Sequence, residues 1–517
     1  MKRIYFTIFI LLAVLVTLSY LYFSKLNRDT NNNEISLYAA TANSGLIFSF
    51  QNDKSVLDLL SSQDLLQSLL PEETLQSLQV LQREFLGNPE INTQLNKQDI
   101  YLSFIPGENK EITYLLSTQT SSNIEPQVIL NLLKAKGMRI EQLTDFSKVS
   151  LNDSTTFYFA SKGKLLLLSQ SFKAVSEGLK ATAQKNNRDF IDYIKANFKF
   201  SKNSLAAIYI NYRYLEGLQQ VITPENFKRE NTFAHYNYSF SKERVLFNGN
   251  ATNNEPHSYQ NLFAAMEPNK VTIDAILPES TANFTAYIMN NYANWHSGLV
   301  SWFTARKENI EIEKTIKRIN SKYNLDLEGT FPKYFKNELL TFQLGSKEYL
   351  GAINLSNGDK LRQLLLDVSS DYNGEIKMLK EPNLLYAYFG EPFARFKKPY
   401  YIIIDNYMVF SNYASSITVF LNHYRNNRQL INQKNYTDAK NQLADQSNII
   451  CYINRENSAN IAKSNLYPTY LKLYQDENKL GKFDSFIYQL SGDGQRFQSN
   501  LLLSKKVEMT LDTIPSF

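Results

Sequence analysis

The apolar pattern is densest at the start, where Met1, Lys2 and Arg3 are followed by twenty residues without a charge, Ile4–Phe23 (IYFTIFILLAVLVTLSYLYF). At 1.5 Å per residue a helix of this length spans about 30 Å, the thickness of a bilayer's hydrocarbon core. Tyr20, Tyr22 and Phe23 close the run where aromatic rings favour the headgroup region. The run is longer than the apolar region of a cleaved signal peptide and lacks a small-x-small cleavage site. The pattern therefore predicts a transmembrane signal anchor over 4–23 and a cytoplasmic tail over 1–3. Residues 24–34 (SKLNRDTNNNE) are polar and read as a stalk.

Beyond the stalk the pattern shifts between periods of about two and about 3.6, and it does so twice in the same order. Thr41-Ala42-Asn43 recurs as Thr281-Ala282-Asn283, 240 positions later. Phe104 and Gly107 match Phe342 and Gly345 at 238, Ser169 matches Ser411 at 242, and Tyr209-Ile210-Asn211 matches Tyr452-Ile453-Asn454 at 243. A constant order at nearly constant spacing predicts two homologous repeats, 35–250 and 271–506, joined by a linker over 251–270 and followed by a tail over 507–517. The period is far longer than that of a solenoid.

Each repeat opens on a predicted strand (37–50; 272–289) and continues into helices. Pro71-Glu72-Glu73 starts one, as proline at the first helical position with acids in the first turn. In the second repeat 291–323 reads as one long helical stretch, with Ile312, Ile316, Ile319 and Tyr323 on one side. Hairpins follow at Pro106–Asn109 and Gly345-Ser346, then a helix, a second hairpin (156–169; 400–411), and a helix capped by Ser169 or Ser411. Closing strands alternate Tyr236, Tyr238 and Phe240, or Phe486, Tyr488 and Leu490, with polar residues. No βαβ rhythm appears. The fold class is α+β: an N-terminal transmembrane helix followed by two homologous lobes of antiparallel sheet with packed helices.

Composition narrows the chemistry. The 517 residues carry 55 Lys+Arg against 50 Asp+Glu, a net charge of +5 spread without blocks, which argues against a nucleic-acid partner. One cysteine and four histidines leave no disulfide framework and little for a metal site, and no cofactor is predicted. The phosphate-loop, dinucleotide, HExxH, GxSxG and EF-hand patterns are all absent. Trp295-His296-Ser297 places a base beside a nucleophile, but adjacent helical residues point apart. His235 and His257 lack carboxylates at ligand spacing, Gly492-Asp493-Gly494 reads as a turn, and Cys451 as a small buried strand residue. The tyrosines are the best binding candidates. Tyr209, Tyr212, Tyr214, Tyr236 and Tyr238, with Tyr400, Tyr401, Tyr407 and Tyr413, could line a groove, since Tyr offers a flat apolar face with a polar tip; β propensity and core packing explain the same alternation.

The layout, with Leu277-Pro278-Glu279-Ser280-Thr281 opening the second repeat, resembles uncharacterised bacterial envelope proteins with one N-terminal anchor and a duplicated extracytoplasmic domain. The first repeat departs from that motif, carrying Tyr38-Ala39-Ala40 before Thr41. The resemblance implies no catalytic residues. The expectation is an inner-membrane protein, amino terminus inside and bulk periplasmic, that contacts the bilayer through 4–23 and envelope or membrane proteins through its folded part. Its predicted role is a non-enzymatic scaffold or binding component; an envelope hydrolase acting on glycans or peptides, and a lipid- or peptide-binding module, are the alternatives.

Overall fold

The structure is a computed structural model, and it describes residues 34–506 apart from 108–109, 122–125, 152–154, 185, 202–203, 223–231, 240, 254 and 256. The chain divides into two compact units, Met1–Asp58 with Glu73–Lys199 and Leu59–Glu72 with Phe200–Phe517. Among the described residues twenty-two strands pair antiparallel with their neighbours, seven in the first unit and fifteen in the second, two of the latter forming a small sheet of their own.

In the first unit the strands are β1 (Leu46–Gln51), β2 (Asp99–Pro106), β3 (Ile112–Gln119), β4 (Arg139–Gln142), β5 (Ser147–Ser150), β6 (Thr156–Lys162) and β7 (Leu165–Ser169). Their spatial order is β1-β2-β3-β7-β6-β5-β4. Both faces are covered. Leu116, Leu166 and Leu168 pack with Leu81, Phe85 and Leu133 from the helical side, while Leu115, Leu165 and Leu167 pack against Ala39 and Val175. Burial on both faces explains why β7 is an unbroken leucine run instead of an alternation.

The second unit holds β8 (Ala207–Asn211), β9 (Thr232–Ser239), β10 (Arg244–Asn253), β11 (Asn269–Lys270), β12 (Thr281–Ile288), β13 (Phe335–Leu344), β14 (Tyr349–Leu355), β15 (Ser369–Asp371) and β16 (Lys377–Leu379). It continues with β17 (Tyr400–Ile404), β18 (Tyr407–Ser411), β19 (Gln446–Ser447), β20 (Ile449–Asn454), β21 (Phe483–Asp493) and β22 (Arg496–Lys505). β11 pairs only with β19. The remaining order is β8-β9-β10-β22-β21-β20-β12-β13-β14-β18-β17-β16-β15. The stretch from β12 to β15 has the order of the first unit, strand for strand. Local bonds recur too: Thr41 Oγ1 donates to Tyr38 O and Thr281 Oγ1 to Pro278 O, and Ser169 and Ser411 donate to the carbonyls of Tyr114 and Tyr349. One face of this sheet packs Phe284, Phe342 and Leu350 against Ile417 and Phe420 of helix Ala414–Arg425. On its other side Tyr287, Phe335, Trp295, Phe389, Phe393 and Phe410 form a network of tilted and edge-on rings.

Several expectations are corrected. The expected N-terminal transmembrane helix is no part of this fold: among the described residues no helix is long and apolar enough to cross a membrane. The segment 4–23 that carried the transmembrane and signal-anchor reading lies outside the described residues, as do residues 24–33 of the stalk and the tail over 507–517. Compact units and repeats do not coincide either. β10 pairs along its length with β22, so the closing strands of the first repeat belong to the unit that holds the second. The strand expected over 37–50 is a helix, Glu34–Ala40, followed by β1, because Ala39-Ala40 favour helix and Asn43 turns the chain at φ 53°. Over 272–289 only Thr281–Ile288 is strand, after a 3-10 turn at Ile273–Ile276. The 291–323 stretch is two helices, Tyr292–Ala305 and Asn309–Tyr323, broken where Lys307 takes φ 62°. Ser171, not Ser169, accepts from the Ala174 amide at its helix start, and Tyr413 occupies the corresponding cap position after Ser411.

Candidate functional site

The tyrosines singled out in the sequence do not share one environment. Tyr209 in β8 is buried and stacks on His235 at 5.1 Å. Tyr236 is buried with its hydroxyl 2.8 Å from Ser499 Oγ. Tyr238 is buried, donates to Gln63 Oε1 at 3.2 Å, and is pushed up to about 12 by burial. Tyr401 is buried too, its hydroxyl 2.7 Å from Ser369 Oγ. Tyr212 and Tyr214 are half-buried at the start of helix Tyr212–Ile222. Tyr400 and Tyr407 are half-buried against the second unit's core. Tyr413 alone is open, at 68% exposure. The faces of Tyr209, Tyr236 and Tyr238 are thus occupied by protein, and the one open tyrosine of the set, Tyr413, lies in the second repeat.

Three of these strands bring further groups together that the sequence did not single out. Ser411, the last residue of β18, sits opposite Leu350 of β14 on one side and Tyr400 of β17 on the other. Tyr349, Ser411 and Tyr400 therefore lie at one end of the sheet. Tyr349 is 43% exposed and carries the Arg395 guanidinium 3.7 Å above its ring. Asn412 Nδ2 donates to Arg395 O at 3.0 Å, which ties the arginine loop to the end of β18 and so to Tyr413. On the β17 side Tyr372, 59% exposed, packs edge-on against Tyr400 at 5.2 Å. Lys397 and Lys398 are exposed in the same loop, and among the described residues neither they nor Arg395 have a carboxylate in ion-pair reach. The nearby acids are engaged: Asp371 with Lys377 at 2.8 Å and Glu375 with Arg425 at 2.6 Å. The sequence signal was there in Arg395-Phe396-Lys397-Lys398-Pro399-Tyr400, a basic run interleaved with aromatics.

The nearest approach to a catalytic arrangement is Ser280 with His423. Ser280 Oγ is 3.3 Å from His423 Nε2. A working serine nucleophile needs the imidazole to accept that proton while a third group holds its other nitrogen. Nδ1 of His423 is buried without a partner. The neighbouring carboxylate, Glu279, accepts instead from Arg428 Nε and from Gln433 Nε2. Burial and then the Arg428 charge push His423 below the usual imidazole range, with Glu279 pulling partly the other way. The Ser280 carbonyl accepts from the Gly345 amide and Asn457 brackets the turn through Glu279 O and Thr281 O. These contacts fix the turn into β12.

The remaining candidates resolve into packing. Ser297 bonds back to Ala293 O at 3.1 Å, while His296 stacks on Tyr292 at 5.4 Å and Tyr388 at 6.0 Å. His235 is driven down to about 4 by burial, with Asn237 pulling partly the other way. Gly492-Asp493-Gly494 turns β21 into β22, with Gly494 at φ 78° and Asp493 paired to Arg496 at 3.2 Å. Cys451 is partly buried in β20, its thiol pushed up by burial while Thr285 Oγ1 approaches at 3.6 Å. His257 is exposed and offers only its carbonyl, to Trp302 Nε1 at 2.7 Å. Among the described residues no group of three His, Cys, Asp or Glu side chains converges as a metal site requires. No family model, curated protein or solved structure matches the chain.

Proposed function

We propose that this chain is a non-enzymatic binding or scaffold component of a larger assembly, and that it engages its partner through the end of the sheet formed by β14, β17 and β18. The observation that carries this reading is the coexistence of exposed aromatic rings with unpaired cations at one end of these strands: Tyr349 and Tyr413 with Arg395, Lys397 and Lys398. Tyrosine and arginine supply contact area and directed hydrogen bonds, and they are the side chains that dominate protein interfaces. Exposed charges cost little on a free surface but acquire partners on docking. The hydrolase alternative has only Ser280 and His423 in its favour, and the free Nδ1 of His423 argues against it.

A photoactivatable residue at position 413 is expected to trap a discrete adduct in cells expressing the full chain, whereas the same residue at Ile310, equally open at 61% exposure, is not. Equal trapping at both positions, or none at 413, would remove this reading.

A further inference from the structure

We infer that the occupant of this surface is an acidic peptide segment of a partner protein, an assignment that rests on the binding reading above and specifies its chemistry. The local electrostatics lean to the cationic side. Arg395, Lys397 and Lys398 fall within four consecutive positions, all exposed, while Asp371 and Glu375 are neutralised by Lys377 and Arg425. Glu348, next to Tyr349, accepts from Ser346 and, among the described residues, has no cation in ion-pair reach, so it offsets part of the three positive charges without balancing them. A polyanion is therefore the complement, since carboxylates meeting these cations form charge-assisted bonds that neither side makes alone.

The rings decide between classes of polyanion. A glycan needs open, flat aromatic faces to stack on. Here the guanidinium of Arg395 covers one face of Tyr349, and the Tyr372–Tyr400 pair, edge-on at 74°, belongs to the other face of the sheet. What the site offers instead is an arginine held 3.7 Å over an aromatic ring, a planar fork of N–H donors of the kind that matches a planar carboxylate. Asn412 holds the main chain of the arginine loop through the Arg395 carbonyl, and the Tyr349 ring lies under the guanidinium, so the loop is anchored before any ligand arrives. Tyr413 adds an apolar body with a polar tip, which suits a peptide's mixed backbone and side-chain surface.

The test uses the full chain and a fluorescent peptide of alternating Glu and Gly, with an alternating Gln and Gly peptide and a neutral glucose oligosaccharide as comparison probes. The Glu peptide is expected to bind, to weaken about tenfold or more in the Arg395→Gln/Lys397→Gln/Lys398→Gln variant, and to weaken again as salt rises from about 0.02 to 0.3 M. All three substitutions are on exposed side chains, and an unchanged melting temperature confirms that the fold is kept. Unaltered affinity in the triple variant, or preference for the Gln peptide, would overturn the acidic occupant. Oligosaccharide binding that is lost in Tyr413→Ala, with no Glu peptide binding, would also overturn it while leaving the surface itself as the binding site. No binding by any probe, together with no cross-link at position 413, would bring down both.

Discussion

Glu381 shows how this protein uses a buried charge. Its carboxylate is almost fully enclosed and accepts from Lys322 Nζ at 2.8 Å, Tyr323 hydroxyl at 2.8 Å and Arg318 NH1 at 2.6 Å. Burial alone would raise its pKa, but the three hydrogen bonds outweigh it and hold the group at about 2, below its ordinary 4.5. A depressed carboxylate contributes stability that is complete above the unfolded value and is lost as pH falls towards the folded one. Thermal melts should therefore show a loss between about pH 4.5 and pH 2 that is smaller in Glu381→Gln. At pH 7 that variant is expected to be less stable by about 1–3 kcal/mol, discounted because Arg318 and Lys322 are half open to solvent. At Ser280 the expectation is the opposite of a catalytic one: Ser280→Ala should leave ligand binding unchanged and a fluorophosphonate probe should not label the wild-type chain, as mass spectrometry can check. None of these environments was legible beforehand. Sequence places Tyr209 and Tyr413 in similar company, but only packing buries one completely and leaves the other two-thirds open.

At the scale of elements, period and turn chemistry carried much further. The closing hairpins were readable from the alternation of Tyr236 and Tyr238 and of Tyr488 and Leu490, although burial follows it only in part: β9 is buried on both faces from Thr232 to Tyr236, and in β21 Ser485, Ile487 and Gln489 lie deeper than Tyr488. The readings failed where a local rule met a tertiary requirement. Leu37 to Ala40 looks like a strand because it is apolar throughout, yet a short helix buried on nearly all sides reads the same way. Gly249 illustrates a constraint that the strand pattern hides. A Cβ at this position in β10 would lie 1.7 Å from His235 O, the carbonyl of the neighbouring strand. Gly249→Ala must push β9 and β10 apart and is expected to cost about 3 kcal/mol or more, measurable as a lowered denaturant midpoint. The same substitution at Gly163, where an added Cβ meets nothing but φ is 62°, should cost about 1 kcal/mol from backbone strain alone.

At the scale of the whole chain the decisive feature is the β10–β22 junction. Asn248 pairs with Asn500, 252 positions away, and Tyr236 and Tyr488, separated by the same interval, bring their hydroxyls to 3.5 Å. The hairpins β9–β10 and β21–β22 are thus related by a local twofold that passes between the two asparagines. A strand pairing across 250 residues forms only after a large loop is closed, so its contribution should appear late in folding. Leu502 in β22 is fully buried in the same cluster as Leu246 of β10 and Ile487 of β21. Leu502→Ala is expected to destabilise by about 2–5 kcal/mol. In hydrogen exchange the loss of protection should spread to residues 232–253; loss confined to 483–505 would mean that the junction is not cooperative.

The sequence by itself determined most hairpins and helices and the order in which they recur, though not the opening element of either repeat, because a hairpin or an amphipathic helix follows from interactions between residues a few positions apart. Side-chain period, proline and glycine geometry, and helix-start chemistry act locally and leave a local trace. Tertiary structure alone decided that β10 would join β22, so that the closing strands of the first repeat sit in one sheet with the second. It also decided which tyrosines face protein and which face water. Both outcomes depend on pairings between distant strands, whose hydrogen bonds and buried area have no counterpart in any single window of the chain.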